Sequence, residues 1–286
     1  MLPLLSPLLL LLASVAPSHL FACSAGAAPN RSGAAAEAGK LIFILAGQSN
    51  MAGRGGVTGD RWNRVVPPEC RPSPAILRLN AGLRWEEARE PLHADIDVLK
   101  TCGVGPGMAF AHEILPSAAA PALVGLVPCA IGGTKITQWG RGTPLYGEMV
   151  RRARAAGGGG GRMGAVLWYQ GESDTVSGAD AEAYMGRMEK LIRDLRSDLG
   201  LPGLLVIQVA LASGEGNYTD IVRQAQKGIR LPNVACVDAK GLALNTDHLH
   251  LTTQAQVQLG KLLATSYLNH SKTDTTSRVS FISIHI

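Results

Sequence analysis

The sequence predicts an α/β fold, a mainly parallel sheet covered by helices on both faces. Short unbroken apolar runs recur along the chain, and they alternate with segments of helical periodicity. The runs are too continuously apolar for strands with one face in water, so both faces of the sheet must be covered.

The first run, Leu41-Ile42-Phe43-Ile44-Leu45-Ala46, reads as a buried parallel strand that stops at Gly47. Further strands are expected at 76–79, 122–128, 164–169 and 204–209, with a shorter one near 234–237. Tyr184, Met188, Leu191, Ile192, Leu195 and Leu199 recur mostly at spacings of three and four and predict a helix, which Gly200 and Pro202 end. A last helix is expected to begin near Thr252 and to carry Val257, Leu262, Leu263 and Tyr267 inward. The glycine run 157–161 is followed by no Gly-Lys-Ser/Thr, so it reads as a surface loop and not a phosphate cradle. Residues 28–40 are small and polar and read as a loose segment, 41–270 as one domain, and 271–286, which lack clear periodicity, as a disordered tail.

With 286 residues, 46% hydrophobic and 17% charged, the chain can bury one substantial core, which excludes wholesale disorder. The net charge of +5 is mild. Arg151, Arg152 and Arg154 read as a solvated helix face; without an aromatic-rich RNA motif or zinc spacing beside them, no nucleic-acid partner is expected. Leu8 to Ala16 is too short an apolar stretch to span a membrane, and Ala25-Gly26-Ala27 fits a signal-peptidase site. Residues 1–27 therefore read as a secretory leader, atypical in lacking Lys or Arg near its start, and the protein as secreted. Its removal leaves Cys70, Cys102, Cys129 and Cys236, which admit three complete disulfide pairings or four buried thiols. Asn30, Asn217 and Asn269 stand in glycosylation sequons.

A hydroxyl at Ser49, just past the first strand, lies where parallel α/β sheets bind ligands. A serine needs a base and an orienting acid to act as a nucleophile at neutral pH. Asp247 and His250, three residues apart, supply both, with His248 as a local competitor for the base. The chain has no Gly-x-Ser-x-Gly elbow. A metal site combining His93, Asp95 and Asp97 with His248 and His250 lacks a recognised ligand spacing, so no metal is expected, and 92–97 reads as lining the cleft or bracing its loops.

Gly47-Gln48-Ser49-Asn50, Ile131-Gly132-Gly133-Thr134, Trp168-Tyr169-Gln170-Gly171-Glu172 and Asp247-x-x-His250 resemble, in order, the four blocks of the SGNH hydrolases. More narrowly they resemble the sialate O-acetylesterase-like carbohydrate esterases of family 6, plant branch, over roughly 40–268. That resemblance implies a three-layer α/β/α sandwich of the flavodoxin-like SGNH kind, with a mainly parallel five-stranded sheet and a Ser-His-Asp site that removes acetyl groups from sugars without a cofactor. Carried over by position, Ser49 is the nucleophile, and the Ser49 and Gly132 amides and the Gln170 side chain form the oxyanion hole, with Gly133 as the neighbouring amide. Gln170 stands where the wider superfamily uses asparagine. Gln48, Asn50 and Glu172 are expected to support the site, and Glu172 is alternatively a second catalytic carboxylate; Trp139, just after the second block, is expected to stack on a sugar ring, with an ordinary buried tryptophan as the alternative. The partner implied is an acetylated carbohydrate, such as a cell-wall polysaccharide, with no stable membrane insertion. The same acyl-enzyme would allow acetyl transfer to a sugar hydroxyl; a catalytically silent glycan-binding protein is the reading from another class.

Overall fold

The structure, a computed structural model, describes residues 39–117 and 123–282. Six parallel strands form its centre: β1 (Lys40–Gly47), β4 (Ile76–Leu79), β6 (Leu123–Pro128), β7 (Arg162–Tyr169), β8 (Leu205–Ala210) and β9 (Val234–Asp238). A short antiparallel strand, β5 (Trp85–Glu87), extends one edge, giving the order β5-β4-β6-β1-β7-β8-β9. The strand count thus exceeds the five that the resemblance implies, while the six parallel strands match the six runs read from the residues. The last parallel strand was marked only by a short run near 234–237, and β5 carries charged residues, Glu86 and Glu87, instead of an apolar run. A separate two-stranded hairpin, β2 (Val57–Thr58) with β3 (Arg61–Trp62), was not foreseen.

Helices α2 (Gly107–Ile114) and α6 (Thr253–Ile282) pack together on one face, and α3 (Pro144–Gly157), α4 (Gly178–Leu199) and α5 (Thr219–Gly228) cover the other. Adjacent strand residues serve opposite layers, as a two-residue period requires. Phe43 meets Phe110 of α2 and Tyr267 of α6 edge to face, at ring distances of 4.7 and 4.9 Å. Trp168 turns the other way, against Trp139 at 5.3 Å, and donates to the Tyr184 hydroxyl of α4. Helix α4 ends where its sequence says it should, with Gly200 left-handed at φ 66°.

Several expectations need correcting. Arg152 is not on a solvated face: it is 1% exposed, and its guanidinium binds the carbonyls of Leu79, Asn80 and Pro128 at the ends of β4 and β6. Arg151 and Arg154 do lie at the surface, on Glu148 and the Asp198 carbonyl. Leu262 of α6 is 42% exposed, because five residues from Val257 it has rotated off the face that Val257, Leu263 and Tyr267 bury. That helix runs past Ser271 to Ile282, and no Gly or Pro after residue 260 interrupts it. All four cysteines in the described residues are free thiols. The expected leader at 1–27, most of the loose segment, the Asn30 sequon and residues 283–286 lie outside the described residues. Among the described residues no helix is long and apolar enough to cross a membrane.

The connectivity fixes the site. From β1 the chain crosses to β4, returns to β6 on one side of β1, and then passes to β7 on the other. The carboxyl ends of three adjacent central strands therefore open into one crevice at a reversal of strand order, the usual ligand position in such sheets.

Candidate active site

Ser49 opens a single helical turn, α1 (Ser49–Ala52), immediately after β1. The link demands glycine at 47: its φ is +125°, and a Cβ there would lie 2.1 Å from the Tyr169 carbonyl oxygen. That carbonyl accepts the Gln48 N–H at 2.8 Å, so the turn is hydrogen-bonded to the end of β7. The Ser49 N–H has no acceptor among the described residues.

His250 reaches the serine from the segment after β9. Its Nε2 lies 2.9 Å from Ser49 Oγ, and its Nδ1 lies 2.7 Å from Asp247 Oδ2. The other Asp247 oxygen accepts the N–H groups of Leu249 and His250 at 3.0 and 2.9 Å, so one carboxylate closes the turn and orients the ring. Burial pushes the Asp247 carboxyl up, but those two N–H groups and the imidazole outweigh it and hold the acid below its ordinary range. His248 adopts a left-handed φ of 56° at the tip of the turn and is exposed, away from the serine.

Asn50 joins the two halves. Its Oδ1 accepts the Leu251 N–H at 2.9 Å, and its Nδ2 donates to Glu172 Oε1 at 2.8 Å and to the Leu249 carbonyl at 3.3 Å. Ser213 Oγ binds the same Leu249 carbonyl at 2.6 Å. Glu172 is fully buried, with Oε2 unpartnered among the described residues; burial, opposed by the Asn50 bond, pushes its carboxyl up to about 7. Reached through Asn50 and without contact to Ser49 or His250, it occupies a supporting position. Gln48 is likewise buried, its Oε1 accepting from the Gly171 N–H and Gln170 Nε2 at 3.2 Å each.

Two expected contributors face elsewhere. Gln170 Nε2 donates to the Thr134 carbonyl at 2.8 Å and Asp174 Oδ2 at 2.6 Å, which engages both amide hydrogens away from the serine. Its surroundings on that side are all acceptors, so the amide orientation is fixed by the network. Trp139 is fully buried, packed edge to face with Trp168 and donating to Thr134 Oγ1, so it offers no surface to a sugar. Gly132 and Gly133 do border the serine, although the Gly132 N–H points at Asp97 Oδ2, 3.2 Å away. The Gly133 N–H has no acceptor among the described residues.

Ser49 and His250 open into a cavity of about 190 Å³ completed by Arg54, Lys100, Gly132, Gly133, Glu215 and Leu249. A second hollow of about 260 Å³, among Val57, Asp60, Thr101 and Asp247, shares Arg54, Lys100 and His250 with it. A larger cavity of about 400 Å³ between Arg162, Asn233 and His270 touches none of these groups. Arg54, Lys100 and Glu215 were missed as site residues. Arg54 had a signal: it is the one charged side chain between Lys40 and Asp60. Lys100 and Glu215 had none, being charged residues in polar loops. In the 92–97 segment, Asp95 pairs with Arg78, His93 is buried with burial pushing its imidazole down to about 3, and Asp97 is buried behind the cleft wall, against Arg54 and Gly132. Among the described residues, no group of three or more His, Cys, Asp or Glu side chains is arranged to hold a metal ion.

Residues 39–269 match the family described as carbohydrate esterase, sialic acid-specific acetylesterase. The chain is 58% identical over 236 residues to an Arabidopsis thaliana protein named "Probable carbohydrate esterase At4g34215", covering 80% of this chain and 90% of that one. The X-ray structure of the Arabidopsis protein AT4G34215 superposes with a TM-score of 0.78 at 58% identity, over 80% of this chain and 98% of that one. The crystal structure of NanS shares the fold at 18% identity, with a TM-score of 0.65 over 82% of this chain and 98% of that one.

Proposed function

The chain belongs to the carbohydrate esterases of the sialic acid-specific acetylesterase family, and from that premise we propose that it is a serine esterase working through an acyl-enzyme. Its general class is that of a carboxylic ester hydrolase acting on carbohydrates. The observation that carries the serine mechanism is the unbroken chain of contacts from Ser49 Oγ through the His250 ring to Asp247.

In this mechanism Ser49 Oγ attacks the acetyl carbonyl carbon while its proton passes to His250 Nε2. Asp247 holds the Nδ1 proton on the far side of the ring and stabilises the imidazolium. The carbonyl electrons move onto oxygen, which the Ser49 N–H faces, with Gly132 and Gly133 at its side. Each well-aimed donor lowers such a barrier by ~3–4 kcal/mol. Collapse of the tetrahedral adduct breaks the bond to the sugar oxygen, which leaves with the proton from Nε2. Water, deprotonated by His250 Nε2, then attacks the acetyl-serine; collapse breaks the bond to Ser49 Oγ, which takes the proton back from Nε2, and acetate departs.

An acetylated cell-wall polysaccharide is the substrate class we favour. The half-exposed His250 loop and two hollows meeting at it, lined by Arg54, Lys100 and Glu215 among apolar walls, suit a sugar unit presented on a chain more than a small enclosed ester. Residues 1–27 would direct the protein to that substrate by secretion. Acetate release from an aryl acetate, acetylated xylan and acetylated pectin, compared with Ser49→Ala, tests the reading. Loss of all turnover in a folded Ser49→Ala chain is expected; full activity would remove the serine mechanism. Polysaccharide binding without acetate release by the unaltered chain would favour the glycan-binding reading.

A further inference from the structure

Arg54 and Asp97 form a buried ion pair at the wall of the ester cavity. Arg54 Nη2 lies 2.5 Å from Asp97 Oδ2, and the two side chains are 7% and 2% exposed. Removing two charges from water is expensive, and a pair of apolar residues would pack there at no such cost, so the pair needs a reason beyond stability. The guanidinium is also incompletely engaged. Nη1 donates to the Gly53 carbonyl at 2.9 Å and lies 3.5 Å from Cys102 Sγ, and Nη2 gives one hydrogen to Asp97. The Nε–H and the second Nη2 hydrogen have no acceptor among the described residues, and Nε is not sealed in the interior; the side chain lines the cavity of Ser49.

The geometry around Gly132 shows where this charge acts. A Cβ placed on Gly132 would lie 2.5 Å from Arg54 Nη2, 3.1 Å from Asp97 Oδ2 and 3.5 Å from Ser49 Cβ. One methyl-sized space therefore separates the guanidinium, the carboxylate and the nucleophile. Asp97 also accepts the Gly132 N–H, so in the serine mechanism its charge lies behind a glycine that borders the nucleophile. An uncompensated carboxylate in that position would oppose the oxyanion, and the Gln170 amide is turned away.

We infer that Arg54 is a further catalytic residue of this esterase: held by Asp97, its guanidinium faces the oxyanion and supplies the donor and positive charge that Gln170 does not. Asp97 is the positioning residue, and Arg54 in turn cancels its charge. The inference rests on the serine-esterase reading, in which the ester is attacked at Ser49.

The test uses the purified full chain with 4-nitrophenyl acetate, and methylboronic acid as a probe, since it adds to a serine oxygen to give a tetrahedral anion. Arg54→Met should lower kcat by ~100-fold or more with little change in KM, and should weaken methylboronic acid in parallel. Added guanidinium ion should restore part of the rate. Arg54→Met/Asp97→Asn should be faster than Arg54→Met alone, because the unopposed carboxylate has gone. A folded Arg54→Met chain with kcat within about threefold of the unaltered one, or a loss confined to KM, would overturn the assignment. Should Arg54→Met fail to fold, the double variant, which leaves no unpaired buried charge, decides by the same kcat criterion. Ser49→Ala in the same series separates the two levels: activity surviving there defeats the serine reading itself, whereas activity lost there but kept in Arg54→Met defeats this inference alone.

Discussion

Ser49 stands in a stretch, 40–55, in which every residue is buried, whereas the Asp247 side chain is 48% exposed and that of His250 21%. The serine is held by its own covalent neighbours: a fully buried strand on one side, and on the other a turn that a single glycine fits to the Tyr169 carbonyl. The imidazole is held by the core on one side only, where Leu251 is fully buried; on the other, Leu249 is half-buried and His248 exposed. It sits on a turn closed by Asp247 and tied to the rest of the molecule through Asn50, Ser213 and Asn245. Half of the site is thus fixed by the core and half by a few polar bonds, and the two halves should fail differently when altered.

The largest effects should come from the exposed half, even though it adds little to the core. His250→Ala is expected to lower kcat by about 10⁴-fold or more, and Asp247→Asn by about as much, each with a thermal midpoint close to that of the unaltered chain. A large drop in the midpoint would show that this loop is part of the cooperative fold and erase the contrast.

Asn50→Ala should affect both quantities, because it removes the bond between the halves. It leaves the Leu251 N–H and the Glu172 carboxyl without their partner, a cost of ~2–4 kcal/mol in stability. Kcat should fall by ~10–100-fold as His250 loses its alignment. Denaturant unfolding alongside aryl acetate kinetics measures both; stability lost without any change in kcat would show that the loop positions His250 unaided.

The smallest effect is a pH dependence confined to the buried half. The Glu172 carboxyl is pushed up to about 7 in the folded chain, against an ordinary value of about 4.5. Between those values the unfolded chain has released this proton and the folded chain still holds it, so this group lowers stability as pH rises from about 4.5 to about 7 and changes nothing beyond. Glu172→Gln should therefore gain on the unaltered chain across that window. Thermal midpoints measured in parallel at both ends test this, and a constant difference would place the titration elsewhere.

The central strands were legible because they are buried on both faces and so read as continuous apolar runs, as at 41–46 and 204–209. Strand β5 and the hairpin at 57–62 were not, since half-exposed edges and loops carry mixed residues. Ser49, Asp247 and His250 were readable as chemistry, the last two through their spacing. Arg152 shows the opposite case: its neighbours suggested a solvated helix face, but three carbonyls at strand ends, far away in sequence, claim its guanidinium.

By itself the sequence determined the sheet's buried strands, the turn after the first of them, and the residue types able to attack and to move a proton, because these depend on local periodicity and on functional groups. Tertiary structure decided which donors face the serine. Gln170 lies in a block that reads as an oxyanion donor, yet Thr134 and Asp174 hold its amide away. Arg54 and Asp97, 43 residues apart, meet beside Gly132 instead. Hydrogen-bond direction is set by which partners the whole fold brings within 3 Å or so, and no local pattern in a chain records that.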